Sequence, residues 1–305
     1  MSASTSDGAT GGLRLLAPAK INLALEVLGK RGDGFHEIDT VMTTIDLADR
    51  VRLQPADELS VSFDGLHGGT IEDDLCTRAA LALGEASGHN AAVSIEVTKQ
   101  IPLAAGLGGG SSDAAAVLRG LNQLWGLGWT VEELSRVAAS LGSDVPFFLQ
   151  GGAARCGGRG EIVEPLRDIR DLRLLLLLPP VTSAPDKTAR RYGALTADDF
   201  SDGEHVRRVA GRVGRGAPPP VNDLVNTFEG VVERSEPELL AHYASYRKSG
   251  VPQIHLCGSG PMVYLLVSDL AKVKALRHDF EMLGADVIDT RTLGHRDAVA
   301  IQSDV

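Results

Sequence analysis

Cysteine is scarce in this chain: Cys76, Cys156 and Cys257 are far apart and odd in number. Such spacing offers no disulfide framework and fits reduced thiols in a cytoplasmic protein. Neither a Cys-x-x-Cys nor a His-x-x-x-His pair occurs among the 305 residues, which argues against a structural zinc site. A basic excess is missing too. The formal charge of −10 excludes the positive footprint of a nucleic-acid binder, yet leaves room for lysines and arginines inside a cleft. Long apolar runs are absent, and residues 174–181, which include two prolines, fall far short of a bilayer span. Residues 1–12 are small and polar, with no basic segment and no apolar stretch, and read as a disordered tail.

What the chain does have in quantity is glycine. Gly106, Gly108, Gly109 and Gly110 fall within five positions, between Pro102-Leu103-Ala104-Ala105 and Ser111-Ser112-Asp113. Without Cβ atoms such a backbone takes positive φ and lets a ligand approach closely. Ser111, Ser112 and Asp113 are residue types that start helices, and Ala114, Val117, Leu118, Leu121 and Trp125 follow at helical spacing. A glycine loop emptying into a helix N-terminus presents free N–H groups and a positive dipole end to an anion. The segment lacks the lysine of a P-loop, and Ser111 stands where a dinucleotide fingerprint needs glycine. A phosphate loop of a third kind remains, beside the plainer reading of a flexible loop before an amphipathic helix.

Elsewhere, strict alternation from Ile21 to Val27 predicts a half-buried strand whose other face carries Lys20, Asn22 and Glu26. Strands are expected near 41–53, 59–63 and 93–99, and helices over 75–87 and 131–141. Thr130 with Glu133 makes a capping box for the latter. Asp144 follows that helix, where the negative dipole end disfavours a carboxylate. Residues 151–161 read as a glycine-rich hairpin carrying Arg155 and Arg159, and 172–178 as a fully buried strand. A boundary near 165 divides the chain into domains of 13–165 and 166–305. In the second, a helix is expected from 222 to 233, others over 238–249 and 272–283, and strands at 262–267 and 299–301. The strand–helix–helix–strand order suggests an α+β domain of ferredoxin-like type.

Five stretches in order carry a family resemblance: Pro18-Ala19-Lys20-Ile21-Asn22-Leu23, Asp33-Gly34-Phe35-His36, the 102–113 loop, Gly142-Ser143-Asp144-Val145-Pro146-Phe147, and Gly258-Ser259-Gly260. Over nearly the whole chain they resemble the galactokinase, homoserine kinase, mevalonate kinase and phosphomevalonate kinase (GHMP kinase) superfamily. Within it they are similar to the branch acting on 4-diphosphocytidyl-2-C-methyl-D-erythritol. The resemblance implies ATP-dependent phosphorylation of that compound's 2-hydroxyl with Mg²⁺. It also implies an N-terminal α/β domain with a left-handed βαβ crossover, a C-terminal ferredoxin-like domain, and the active site in the cleft between. By residue, it implies Asp144 as base and Lys20 beside it. Lys99 with Pro102, Leu103, Ala104, Ala105, Gly106, Leu107, Gly108, Gly109, Gly110, Ser111 and Ser112 falls to ATP. Asn22, Phe35 and His36 fall to the acceptor.

Three departures stand out. Phe35 replaces a tyrosine, Ala104 and Ala105 replace glycines and should limit positive φ there, and Asp113 cannot face a phosphate without repulsion. Residues 183–215 match the pattern poorly, and no metal ligands emerge. A sister kinase for another small alcohol, a silent nucleotide sensor and an interaction protein are the competing readings. As partners, small molecules only are expected, with no nucleic acid or membrane, for a monomer or weak homodimer.

Overall fold

A computed structural model describes residues 11–65, 74–181, 186–251, 253–267 and 269–304. Most of the predicted tail (1–10) and of the loop at 64–73 therefore lies outside the described residues. The chain opens with two long strands, β1 (Leu13–Lys30) and β2 (His36–Pro55), then β3 (Ser60–Gly65), α1 (Leu75–Ser87) and β4 (Val93–Lys99). Next come α2 (Gly109–Leu124), α3 (Val131–Leu141), α4 (Val145–Gln150) and the hairpin β5 (Ala153–Gly157) with β6 (Ile162–Pro165). After β7 (Arg173–Leu178) follow α5 (Lys187–Gly193), α6 (Glu204–Val213), β8 (Val225–Asn226), α7 (Phe228–Ser235) and α8 (Pro237–Lys248). The last elements are β9 (His255–Leu256), β10 (Val263–Leu266), α9 (Leu270–Met282), β11 (Asp286–Arg291), α10 (His295–Ala298) and β12 (Ile301–Ser303).

Two sheets result. The larger runs β12-β1-β2-β4-β3, with β8 paired to β1 and the β5–β6 hairpin joined through β2. β1 and β2 are antiparallel through three register shifts, whereas β3 and β4 are parallel across α1. The smaller sheet has the order β11-β7-β10-β9, all antiparallel. β7 sits inside it, buried on both faces, as its unbroken apolar run requires. The predicted closing strand exists as β12, but its partner is β1, so the C-terminus returns to the first sheet.

Helix α2 is buried from Ser112 to Leu121, because it lies between the large sheet and α1, α3 and α4. A Cβ on Gly120 would overlap Leu53 and crowd Leu15, so glycine there sets how close the helix sits. Arg119 ties the layers, donating to Phe148 O (2.6 Å) and Leu16 O (3.1 Å). The capping box before α3 forms as expected, and Gly142 ends the helix.

Several expectations need correction. α2 starts at Gly109 with Gly108 as its cap, so Ser112 and Asp113 lie inside the helix and do not cap it. The helix expected over 222–233 is a 3₁₀ turn (Val221–Asp223), the two-residue β8, and α7 only from Phe228. β11 and α4 carried too few residues of clear period to be predicted.

Candidate active site

The site forms where β1, the start of α2 and the α3–α4 junction converge. Lys20 lies on the polar face of β1, its side chain only 5% exposed. Its Nζ donates to Asn22 Oδ1 at 2.7 Å and lies 3.7 Å from Asp144 Oδ2. Asn22 in turn donates to Thr40 Oγ1 (2.9 Å), which donates to Ala24 O (2.7 Å). Both polar groups of Asn22 are therefore engaged in holding Lys20. Asp144 is the last of the three residues between α3 and α4, at the N-cap position of α4. The positive end of this second helix offsets the α3 dipole that the sequence alone suggests.

Across from this pair lies the glycine loop. Lys20 N donates to Leu107 O (3.0 Å), and Ser112 Oγ donates to Pro18 O (2.7 Å), so both ends of the loop are fastened to β1. The first intrahelical bond of α2 runs from Ser112 N to Gly108 O (2.9 Å), leaving the preceding amides for a ligand. Two glycines are required by contact. Gly106 (φ +90°) would drive a Cβ into Cys257 O, and Gly108 (φ +74°) would place one 2.9 Å from the Phe148 ring. Ala104 adopts φ 53° despite its side chain, contrary to the expectation that alanine would keep this position out of the left-handed region. The Gly258–Gly260 turn backs the loop: a Cβ on Gly258 would sit 3.0 Å from Lys20 Nζ and 2.8 Å from Gly106 O.

A cleft of about 1020 Å³ connects these parts to an aromatic end. Of the predicted residues, Lys20, Asn22, Phe35, His36, Gly106, Gly108, Ser111 and Asp144 line it. The other residues of the 102–112 loop are not in its lining. Ala105 and Leu107 are buried beneath the loop, and Leu103 is exposed.

Lys99 departs furthest from its predicted place. It is buried, donating to Asp49 and, at 2.6 Å, to Asp113. Asp49 also accepts from Gln100 N (2.5 Å) and Ile101 N (2.8 Å), the residues entering the loop. A Lys–Asp–Asp cluster thus joins the entry of the glycine loop to the first turns of α2. Asp113 points away from the phosphate side into this cluster. Burial, reinforced by the neighbouring Asp49, pushes its carboxyl up to about 7.

At the other end, His36 stacks on Tyr192 (centroids 5.2 Å apart) and sits near Phe200, while Arg159 lies 4.5 Å over the half-exposed Phe35 ring. Burial, with the nearby Lys30, holds the His36 imidazole below its ordinary pKa and hence neutral at pH 7. Sequence reasoning missed Tyr192, Phe200 and Thr188, all cleft-lining, because they fall in the stretch without a recognisable pattern. Arg159 was seen only as part of a hairpin. Gly160, beside it in the β5–β6 turn, lies close to Ser143 (a Cβ there would sit 3.6 Å from Ser143), and Arg159 and Ser143 both line the cleft. Taken together, the arrangement offers a carboxylate held beside a buried ammonium, a helix start for phosphates, and an aromatic end suited to a planar ring.

The chain is similar to known proteins in both sequence and fold. Residues 74–152 match the model of the GHMP kinases N terminal domain. A 4-diphosphocytidyl-2-C-methyl-D-erythritol kinase of Dehalococcoides mccartyi (strain ATCC BAA-2266 / KCTC 15142 / 195) is 39% identical over 285 residues, covering 93% of this chain and 100% of the relative. One from Bacillus cereus (strain AH187) is 38% identical over 291 residues, covering 94% and 99%. A crystal structure of 4-(cytidine 5'-diphospho)-2C-methyl-D-erythritol kinase superposes with a TM-score of 0.73 at 33% identity, covering 91% of this chain and 99% of that one. This chain belongs to the 4-diphosphocytidyl-2-C-methyl-D-erythritol kinase family of GHMP kinases.

Proposed function

We propose that this protein transfers the γ-phosphoryl group of ATP to the 2-hydroxyl of 4-diphosphocytidyl-2-C-methyl-D-erythritol. The products are the 2-phosphate and ADP, and the step belongs to the non-mevalonate route to isopentenyl diphosphate. The observation that carries this reading is the Lys20–Asp144 pair, 3.7 Å apart, lining a cleft that the α2 start and the Phe35–His36–Tyr192 aromatic group share.

Asp144 takes the proton of the acceptor hydroxyl as it attacks. Lys20, oriented by Asn22, faces the carboxylate and offsets charge on the transferring phosphoryl. Phosphoryl transfer depends on placement and electrostatics more than on covalent chemistry, so a carboxylate, an ammonium and a row of amides suffice. Mg²⁺ would come with the nucleotide and would offset the charge of its phosphates. Among the described residues no cluster of three acidic, histidine or cysteine side chains is placed to hold a metal. A cation carried by the phosphates and water would find the Ser111 hydroxyl as the oxygen donor at hand. Phe35 and Tyr192 supply ring faces for the cytosine, and neutral His36 hydrogen-bonds its edge. Asn22 acts through Lys20, and Lys99 through the loop it anchors.

We read the architecture as a domain of 13–165 with a left-handed β3–α1–β4 crossover and a ferredoxin-like domain of 166–305. The strand order β11-β7-β10-β9 supports the second, and β8 and β12 return to the first sheet. Among the described residues no helix is long and apolar enough to cross a membrane.

A coupled ADP-release assay tests the function. Turnover is expected with the cytidyl compound and not with mevalonate or homoserine; the reverse pattern overturns the proposal.

A further inference from the structure

The phosphate side of the cleft joins two glycine segments more than a hundred residues apart, and a buried lysine bridges them. Lys187 opens α5 between two cleft-lining residues, Asp186 and Thr188. The residue is only 6% exposed, and its Nζ donates to Ala104 O (2.7 Å) and to Gly260 O. Neither acceptor is a carboxylate. Around this bridge, Met262 N, just past the turn, donates to Ala105 O (3.3 Å), and Thr188 Oγ1 of α5 lies 2.8 Å from Ser259 Oγ of the turn. A buried ammonium is a costly way to satisfy two carbonyls, which neutral donors would serve with less desolvation. Its charge has a use where a triphosphate docks on the other side of the same loop.

We propose that Lys187 is a nucleotide-positioning residue: its ammonium locks the 104–110 loop to the 258–260 turn and places positive charge behind it, so that affinity for the nucleotide requires Lys187 to be protonated. This rests on the reading of the glycine loop as the ATP site.

Lys187 loses its proton in an accessible range, since burial, with Arg191 and Lys20 repelling it against the pull of Glu236, brings it down to about 8. The charged groups acting on it are Arg191 on the same helix, Glu236 ahead of α8 and Lys20 of β1. Cys257 precedes the turn that Lys187 binds, and Tyr243 of α8 donates to Pro261 O just after that turn. Arg191 binds Glu236 through two bonds of 2.6 Å, which hold that carboxyl below its usual range. Burial pushes Cys257 up to about 12 and Tyr243 well above the phenol range. Asp113 and Glu229, both near 7, also titrate toward this range, so a change centred near pH 8 reports Lys187 when its variants abolish it.

The test is calorimetric binding of MgATP, without acceptor, to the full chain at pH 7 and pH 9. Wild-type affinity should fall about tenfold between them, the scale of a lost charge-assisted bond. Lys187→Met should be about tenfold weaker at pH 7 and lose nothing more at pH 9. Lys187→Arg, permanently charged, should show no decline across this range. A merely structural lysine would lower the melting temperature of Lys187→Met and leave its affinity and pH response at wild-type values. That outcome, a flat wild-type profile, or a wild-type decline retained in Lys187→Arg overturns the proposal. Absence of any wild-type MgATP binding at pH 7 instead removes the nucleotide reading, and the role of Lys187 with it.

Discussion

Lys20 and Asp144 divide the work of a small reaction centre between burial and access. The lysine is almost wholly enclosed, whereas the Asp144 side chain is 34% exposed and reaches the cleft. A proton acceptor has to meet its substrate; a charge-balancing cation acts better away from water. Asp144→Asn keeps the shape and the approach to Lys20 but removes the basic oxygen. It should lower kcat by about 10²–10⁴-fold and leave MgATP affinity within about twofold, as measured by ADP release and calorimetry. Near-normal kcat in this variant would mean that positioning alone drives transfer. The pair was legible in the sequence as two types in two stretches, one on a strand face and one past a helix. That they meet was not, because 124 residues separate positions 20 and 144 and only the packing of α4 against α2 closes the distance.

Among the elements, the glycine loop stores strain at one position and forbids a side chain at another. Ala104 holds φ 53°, which costs an L-residue about 1–2 kcal/mol. Ala104→Gly should therefore raise stability by about 1 kcal/mol, seen as a higher melting temperature, with its carbonyl still available to Lys187. Gly106→Ala should do the opposite and abolish activity, since the Cys257 backbone in its way has no room to yield. An unchanged melting temperature for both would show that the loop does not hold this conformation. Capping and periodicity made α1, α3 and α8 readable, because those signals sit within one turn of the residues they govern. The start of α2 was misjudged for the same reason: Ser112 and Asp113 look like caps locally, but their partners, Pro18 and Lys99, come from other strands.

Over the whole molecule, titrating groups outside the site set how stability varies with acidity. Burial pushes Glu229 up to about 7 and His255 down to about 4, and their nearest atoms are 4.0 Å apart. Folded Glu229 keeps a proton that the unfolded chain releases. Its contribution is complete below pH 4.5 and is lost as pH rises through 7. Folded His255 refuses a proton that the unfolded chain accepts, so its contribution is complete above pH 6.5 and is lost as pH falls toward 4. Each amounts to about 3 kcal/mol across its window, and between pH 4.5 and 6.5 the two slopes oppose each other. Glu229→Gln retains an acceptor for Leu256 N, a bond of 3.0 Å, but cannot titrate. Its melting temperature should rise with pH over that interval more steeply than that of the wild type. Equal slopes would show that Glu229 is not held protonated in the fold. The acidic overall charge likewise proved compatible with a cationic interior: Lys20, Lys30 and Arg159 all line the cleft of a chain whose net charge is −10.

What the sequence determined by itself was local and periodic: the β1 alternation that sets Lys20 and Asn22 on one face, the Thr130–Glu133 box, the apolar run of β7 and the glycine loop before α2. These depend on backbone period and on sterics within a few residues, which any stretch of chain carries with it. Only the tertiary structure decided the rest. It sent Lys99 beneath the loop to Asp49 and Asp113, brought Tyr192 to His36, paired β12 with β1, and set Lys187 between two glycine segments. Each is a contact between distant segments, chosen by which buried polar groups and apolar faces must be satisfied together, and no local pattern encodes that choice.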